Sequence, residues 1–178
     1  MALFPESAEQ ALSAAIEMNQ KIRDFNTSRK LKNLPPVRMG VGMHTGPLIM
    51  GITGDKDRLD ATTISDAVNT ASRIENLTKY YHAGILLSEI TLQLIGHPEK
   101  FHLRYLGKVQ VKGKISSIGI HECFSSNSEE QIIKKEKTLS AFNEGMYAYL
   151  NKSFEEAVNA FQSVTNENPE DQTAEFFL

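Results

Sequence analysis

The stretch ISDAVNTASRIE, residues 64 to 75, has the pattern of an amphipathic helix with a polar start. Ser65 or Asp66 supplies a side-chain oxygen that caps free backbone N–H groups, and the charge of Asp66 suits the positive end of the helix dipole. A buried stripe is predicted for residues that recur at helical spacing: Ala67, Ala71, Ile74 and Thr78.

Two polar side chains lie on the opposite side of this predicted helix. Asn69 and Arg73 point about 40° apart at helical geometry and reach toward the same volume. The residues alone leave two interpretations open. One is a solvated polar face, which most exposed asparagines and arginines on such helices form, and the other is a shared binding role.

Composition bounds the class of protein. The 178 residues, 40% of them hydrophobic, suit one globular domain with a small appendage. The net charge of −3, from 19 basic and 22 acidic residues, argues against a nucleic-acid partner or a membrane-surface helix. Cys123 is the only cysteine, so we expect a small apolar core residue on a strand.

Targeting signals are not evident in the sequence. No signal peptide opens the chain, and no apolar run approaches the roughly 18 residues that a spanning helix needs. We therefore expect a soluble, cytoplasmic chain without membrane contact of its own. An anchor elsewhere in a longer protein stays open.

The N-terminal part is predicted to contain a strand edge and a helix. MALF, residues 1 to 4, is a short apolar opening that suits the edge of a strand. Pro5 is tolerated in the first turn of the helix that follows, which is predicted to run to about Phe25. NTSRKLKNLPP, residues 26 to 36, is predicted to be a basic loop closed by two prolines.

Strand patterns follow this loop. VRMGVGMHTG, residues 37 to 46, alternates apolar residues with a face that includes Gly40 and Gly42, which leave room for a close neighbour. His44 on that face is expected to have a hydrogen-bonded structural role. PLIMGITGDKD, residues 47 to 57, is predicted to form a second strand ending in a turn, and its glycines lack the spacing of a P-loop.

The remaining elements favour an α+β fold over a doubly wound parallel sheet. GILLS is predicted to be a buried strand and EITLQLIG a short helix, whereas FHLRYLGKVQVKGK forms a strand pair and SIGIHECF closes the sheet. The strands are short, and the alternating ones bury one face. This pattern predicts an antiparallel sheet with helices on one face.

The composition becomes polar and charged near residue 125, which predicts a boundary there. Residues 125–138 are expected to be a charged linker or helix, and residues 139–178 a helical segment. Five residues of that segment have the spacing of one tetratricopeptide repeat of 34 residues, although the expected tyrosine is one position out of place, at Tyr149. The five are Gly145, Phe154, Ala157, Phe161 and Pro169. A plain helical hairpin packed on the main domain is the alternative.

Four stretches together resemble the later part of class III adenylate and guanylate cyclase catalytic domains. They are VRMGVGMHTGPLIMGITGD, DATTISDAVNTASRIENLTK, ILLSEITLQLI and LGKVQVKGK with IGIHECF, and the most specific element is V-N-x-A-S-R-x-E at residues 68 to 75. The resemblance covers roughly residues 1–124 and implies the nucleotide-cyclase (ferredoxin-like) fold. It also implies a homodimer or heterodimer with sites at the interface, which converts ATP or GTP to a 3′,5′-cyclic nucleotide and pyrophosphate.

The resemblance assigns roles position by position. Asn69 is similar to the residue that orients the ribose, and Arg73 to the one that stabilises charge on the reacting phosphate, for which a planar guanidinium is suited. Lys112 is similar to the lysine that meets the terminal phosphates. Lys114 is the fallback, and a solvated lysine is the alternative for both. Thr62 lies at the purine-reading position, where a hydroxyl favours ATP over GTP.

The sequence departs from the family pattern at two places. Ser65 replaces the usual glycine before the helix, and we expect it to cap the helix. The two metal-binding aspartates are expected upstream of Met1, since Asp55, Asp57 and Asp60 do not match their positions. Mg²⁺ or Mn²⁺ would then be held by ligands upstream or from a partner, and no metal ligand is assigned in this chain. We therefore expect the C-terminal portion of a cyclase domain, inactive alone.

Two other functions stay open at this stage. The first is a non-catalytic, cyclase-like module that binds nucleotide or regulates through dimerisation. The second is an interaction domain whose C-terminal helices bind a protein partner. The presence of Thr62, Asn69, Arg73 and Lys112 together counts against the second, because a scaffold has no physical need for that set.

Overall fold

The computed structural model describes residues 1–54, 59–110 and 117–178, with residues 52–54 and 59–64 described by their backbone alone. The helices are α1 (Ala8–Leu31), α2 (Asp66–Leu77), α3 (Glu89–Gln93), α4 (Glu129–Lys137), α5 (Leu139–Leu150), α6 (Phe154–Glu167) and α7 (Gln172–Phe176). The strands are β1 (Val41–Met43), β2 (Ile49–Gly54), β3 (Leu59–Ile64), β4 (Ile85–Ser88), β5 (Leu103–Gln110) and β6 (Ser117–Cys123). A single 3₁₀ turn at Pro98–Lys100 precedes β5.

The central sheet has four strands in the described part of the chain, in the order β1–β4–β6–β5. β4 and β5 both pair antiparallel with β6, whereas β1 and β4 are parallel, with Met43 opposite Leu87. The parallel pair arises because the chain crosses from β1 to β4 through the β2–β3 hairpin and α2. The predicted α+β class is confirmed, and the sheet is mixed rather than wholly antiparallel.

Helices cover both faces of this sheet, which corrects the expectation of helices on one face. In β4, Ile85 and Leu87 pack with Leu12 of α1, while Leu86 between them packs on the other side with Ile74 of α2. All four residues of β4 are buried. A strand that is apolar at successive positions is typical of a sheet covered on both sides. The apolar run in GILLS therefore indicated that helices cover both faces.

The first helix is longer than the sequence pattern predicted. α1 continues to Leu31 instead of ending near Phe25. The side chain of Asn26 donates to the carbonyl of Val37 at 2.7 Å and accepts from its N–H at 2.8 Å, and Nε of Arg29 donates to the Pro35 carbonyl at 2.7 Å. These bonds fix the last turns of α1 against Pro35, at the end of the predicted basic loop, and against Val37, at the start of the predicted strand.

Two short stretches also differ from their predictions. Residues 1–4 form no strand, and β3 is a strand that the sequence pattern did not indicate. β3 is defined by its antiparallel pairing with β2, in which Thr62 lies opposite Gly51. That pairing is a property of the hairpin, and the polar residues of DATTI give little local signal for it.

The C-terminal segment contains the expected helical hairpin, formed by α5 and α6. Phe142 and Phe161 meet edge to face at 5.5 Å between ring centroids, and a Cβ at Gly145 would lie 3.0 Å from the Phe161 ring. The same buried cluster includes Leu86 and Ile120 of the central sheet. The hairpin therefore shares its core with the sheet, while its relation to a tetratricopeptide repeat stays a prediction.

Two expectations from composition can be compared with the fold. Cys123 is 1% exposed and free, and burial raises the pKa of its thiol, which confirms a core role on a strand. Within the described ranges, no helix combines the length and apolar character that crossing a membrane requires.

Candidate active site

The candidate site is built around the start of α2. Ser65 has an extended backbone, with φ −164° and ψ 137°, and its Oγ accepts a hydrogen bond from the N–H of Ala67 at 2.9 Å. The same hydroxyl donates to the Pro47 carbonyl at 2.6 Å, so it joins α2 to the segment before β2. The prediction that Ser65 caps the helix is confirmed. A serine is therefore accommodated where the family pattern has glycine.

Glycine on β1 brings α2 close to the sheet. A Cβ on Gly42 would lie 2.1 Å from the Glu75 nitrogen and 2.4 Å from the Ala71 carbonyl oxygen. Both are backbone atoms of α2, so this position has no room for any side chain. A Cβ on Gly40 would likewise lie 2.1 Å from the hydroxyl oxygen of Thr78, the C-cap residue of α2. The predicted close neighbour of the two glycines is thus α2 itself.

Asn69 and Arg73 lie one turn apart on the side of α2 away from this contact. Asn69 is exposed and Arg73 is half-buried. Among the described residues, no hydrogen bond or ion pair engages the Arg73 guanidinium. A half-buried arginine that no described residue engages is available to an anionic ligand, and guanidinium binds phosphate oxygens in a two-pronged geometry.

The other two predicted site residues belong to neighbouring segments. Thr62 lies on β3, immediately before α2, so the structure brings its backbone beside the helix start. Lys112 and its fallback Lys114 lie outside the described residues, between β5 and β6. The structure thus places Asn69 and Arg73 on one helix and Thr62 on the adjoining strand.

His44 has the structural role that the sequence predicted. Its Nδ1 is 2.9 Å from Oγ of Ser88 at the end of β4. That hydroxyl is 3.0 Å from Oγ1 of Thr91, which also accepts from Thr45 at 3.2 Å. The chain of hydrogen bonds joins the segment after β1 to the start of α3.

Metal ligands are not evident in the described ranges. No group of three or more His, Cys, Asp or Glu side chains is arranged there to hold a metal ion. Asp55 and Asp57 lie outside the described residues, and Asp60 is described by its backbone alone. The described side chains therefore do not fit a two-metal centre.

A buried charge cluster is the feature that sequence reasoning missed. It consists of Arg104, Glu122, Lys135 and Asp171, all buried. Arg104 and Glu122 occupy inward positions of β5 and β6, two residues from Leu106 and Ile120. Charged residues at inward positions of alternating strands were an available signal, but their partners, Lys135 of α4 and Asp171 before α7, could not be identified without the fold.

Comparison with known proteins agrees with this arrangement. The family model described as "Adenylate and Guanylate cyclase catalytic domain" matches residues 2–134. The chain belongs to the adenylate and guanylate cyclase catalytic domain family, as the V-N-x-A-S-R-x-E pattern predicted.

Named relatives include two adenylate cyclases. The chain is 35% identical to "Adenylate cyclase, terminal-differentiation specific" of Dictyostelium discoideum over 184 residues, which cover 100% of this chain and 9% of that protein. It is 44% identical to an adenylate cyclase of Anabaena cylindrica over 128 residues, covering 68% of this chain and 26% of the relative. The chain thus spans about a tenth and about a quarter of these relatives.

Solved structures support the same fold. The adenylyl cyclase CyaB from P. aeruginosa matches with a TM-score of 0.58 and 28% identity, covering 65% of this chain and 58% of that one. The guanylyl cyclase Cya2 matches with a TM-score of 0.55 and 29% identity, covering 65% and 57%. The nucleotide-cyclase fold is confirmed.

Proposed function

We propose that this chain supplies the purine, ribose and transition-state residues of a nucleotide cyclase site, which forms 3′,5′-cyclic AMP and pyrophosphate from ATP. The observation that carries the proposal is the pair Asn69 and Arg73. They lie about one helical turn apart on the same face of α2. Arg73 is half-buried and has no ionic partner among the described residues. The adenylate cyclase relatives support this assignment.

Each residue has a role that matches its chemistry. Arg73 stabilises the negative charge that develops on the reacting phosphate, because its guanidinium is always charged and donates two parallel hydrogen bonds. Asn69 is neutral and hydrogen-bonds the ribose. Lys112 binds the terminal phosphates, and Thr62 reads the purine edge through its hydroxyl. Threonine favours adenine, so ATP is the proposed substrate rather than GTP.

We assign the metal ions, Mg²⁺ or Mn²⁺, to carboxylates outside the residues described. The described side chains hold no suitable cluster, so the ligands would come from a longer form of the protein or from a partner subunit. Carboxylates there would hold the divalent metal, which would supply activation of the 3′-hydroxyl and positive charge for the triphosphate. The residues of this chain act on the base, the sugar and the reacting phosphate.

A dimer is the proposed assembly, either of two copies or of this chain with a related cyclase domain. The start of the β2–β3 hairpin exposes three neighbouring apolar side chains, with Leu48 at 39%, Ile49 at 72% and Met50 at 67% exposure. A partner at the hairpin would cover exposed apolar side chains of this kind. The hairpin leads directly to Thr62 and α2, so a partner at this surface lies next to the candidate site.

The proposed organisation keeps the boundaries of the sequence analysis. Residues 1–124 form the cyclase portion, residues 125–138 connect it, and residues 139–178 form the tetratricopeptide-like helical segment, which is available to a protein partner. The net charge of −3 continues to argue against a nucleic-acid partner. We propose a cytoplasmic location for this chain, in a protein of intracellular signalling.

The test is Arg73→Ala in the full-length protein, with Arg38→Ala as the matched control. Arg38 is an exposed arginine on the segment before β1. Loss of Arg73 is expected to raise the barrier by roughly 2–4 kcal/mol, lowering kcat far more than it raises KM, because its contact forms in the transition state. Arg38→Ala should retain wild-type turnover. Normal turnover of Arg73→Ala would remove this residue from the mechanism.

A non-catalytic, nucleotide-binding or regulatory module is the second candidate. It is favoured by the lack of a metal-binding cluster among the described side chains. Nucleotide binding by the full-length protein without cyclic nucleotide formation, with Mg²⁺ and with Mn²⁺, would establish it.

A further inference from the structure

The buried charge cluster joins the C-terminal helices to the central sheet. Arg104 on β5 donates from Nε to Glu122 of β6 at 2.6 Å. Its two remaining nitrogens donate to both carboxylate oxygens of Asp171, at 2.6 and 2.7 Å. Lys135 of α4 donates to the other oxygen of Glu122 at 2.6 Å. Asp171 is also the N-cap of α7, since it accepts from the N–H of Ala174 at 3.2 Å.

The cluster is balanced and enclosed. Its two positive and two negative groups cancel, and the Arg104 guanidinium lies 4.0 Å from the centroid of the Phe142 ring. Burial alone would raise the pKa values of Glu122 and Asp171, but the neighbouring positive groups outweigh it and hold both below their usual range. Both carboxylates therefore stay ionised and bound at neutral pH.

A second anchor joins the same short helix to the end of α2. Thr173 is 1% exposed, and its hydroxyl donates to the Tyr81 carbonyl at 2.7 Å. The Tyr81 ring meets Phe176 edge to face at 4.9 Å. Tyr81 is held to the last turn of α2 by a backbone bond to Leu77 at 3.0 Å. α7 therefore contacts two elements that are separate in the chain, β5 and the turn after α2.

We propose that α7 is a brace that fixes α2 relative to β5, with Asp171 and Thr173 as positioning residues for the cyclase site. α2 carries Asn69 and Arg73, and β5 leads directly into the segment that contains Lys112. The brace thus links the helix that carries Asn69 and Arg73 to a strand of the central sheet. This inference rests on the proposed function, although its structural part concerns described residues only.

The first experiment changes one hydroxyl. Thr173→Val in the full-length protein removes the bond to Tyr81 and keeps the shape, whereas Thr173→Ser keeps the hydroxyl. Since displacement of a catalytic group by about 1 Å costs up to roughly 100-fold in rate, we expect Thr173→Val to lower kcat at least about fivefold, with a smaller change in KM. Thr173→Ser should retain most of the turnover. Equal kcat values for the two variants would overturn the positioning role of Thr173.

The second variant tests the charged anchor. Asp171→Asn leaves Arg104 without its bidentate acceptor, and Glu175→Gln removes the same charge from an exposed position of α7. At a temperature where circular dichroism shows both variants folded, Asp171→Asn should lower kcat about tenfold or more and Glu175→Gln should not. Equal kcat values for Asp171→Asn and Glu175→Gln would overturn the role of the charged anchor, and Thr173→Val alone tests the contacts of α7 if Asp171→Asn does not fold.

Hydrogen exchange separates failure of the brace from failure of the proposed function. Thr173→Val and Asp171→Asn should each speed amide exchange in the last turn of α2 and in β5 at least about tenfold, whether or not the protein makes cyclic nucleotide. Faster exchange confined to α7 would overturn the brace. Faster exchange in α2 and β5 with unchanged kcat would overturn the link to catalysis.

Discussion

Ser65 shows how one side chain can replace a glycine without disturbing a helix start. Its hydroxyl serves both the N–H of Ala67 and the carbonyl of Pro47. Ser65→Ala should lower the free energy of unfolding by about 1 kcal/mol, whereas Ser65→Gly should cost only a few tenths, because glycine leaves the helix end open to water. Urea denaturation followed by circular dichroism measures both. Equal losses for the two variants would contradict the capping role.

Thr62 determines the expected nucleotide preference. A hydroxyl at the purine-reading position is expected to favour adenine, so the full-length protein should form cyclic AMP faster than cyclic GMP from equal concentrations of ATP and GTP. Thr62→Ala should reduce that preference, since it removes the hydrogen-bonding group. Chromatography of the two products measures the ratio, and faster formation of cyclic GMP by the unchanged protein would show the assignment to be wrong.

Residue positions were predictable where the local pattern contains the cause. Asn69 and Arg73 share a face because helical spacing requires it, and Ser65 could be predicted as a cap from its position alone. Arg104 and Asp171 are 67 residues apart, so their bond depends on a fold that sequence spacing does not contain. Lys112 stays a prediction, since it lies outside the described residues.

At the scale of elements, the contact between β1 and α2 depends on Gly42. Gly42→Ala would place a methyl group on the α2 backbone, which cannot move away as a flexible side chain can. Overpacking of this kind costs about 1–3 kcal/mol, and displacement of α2 should also lower kcat. Gly51→Ala is the matched control for stability, because a Cβ at Gly51 meets nothing within 4 Å. Thermal unfolding compares the two variants, turnover is measured for Gly42→Ala, and equal melting temperatures would contradict the close contact.

Elements were predictable in proportion to their local signal. β4 and α3 match GILLS and EITLQLIG because a buried strand and a capped helix have compact patterns. The predicted end of α1 was wrong by several residues. Hydrogen bonds from Asn26 and Arg29 to Val37 and Pro35 stabilise the additional turns of the helix. The placement of helices on both faces of the sheet follows from the pairing of the strands and from the crossover between β1 and β4. Both depend on contacts between residues that are far apart in the chain.

At the scale of the whole molecule, the pH dependence of stability includes a contribution from His121. This side chain packs against Tyr105 at 5.0 Å between ring centroids, and burial lowers the pKa of its imidazole although Glu89 opposes the effect. The folded state therefore holds neutral His121. Below the unfolded pKa of about 6.5, the unfolded chain takes up a proton before the folded chain does, so stability falls as pH decreases.

The corresponding variant is His121→Phe, which keeps an aromatic ring and cannot titrate. Its free energy of unfolding should change less between pH 7 and lower pH than that of the unchanged protein. Denaturant titrations across this range provide the measurement. An identical slope in His121→Phe would show that His121 does not contribute.

We propose that this chain carries the Thr62, Asn69, Arg73 and Lys112 half of a shared site and depends on metal ligands from elsewhere. The most direct test mixes the 178-residue chain with the full-length protein carrying Asn69→Ala and Arg73→Ala, and measures cyclic AMP with Mg²⁺ or Mn²⁺. We predict that neither component is active alone and that the mixture is active at one site per heterodimer, because each supplies the half that the other lacks. Turnover by the 178-residue chain alone, or an inactive mixture in which the heterodimer is shown to form, would contradict the account.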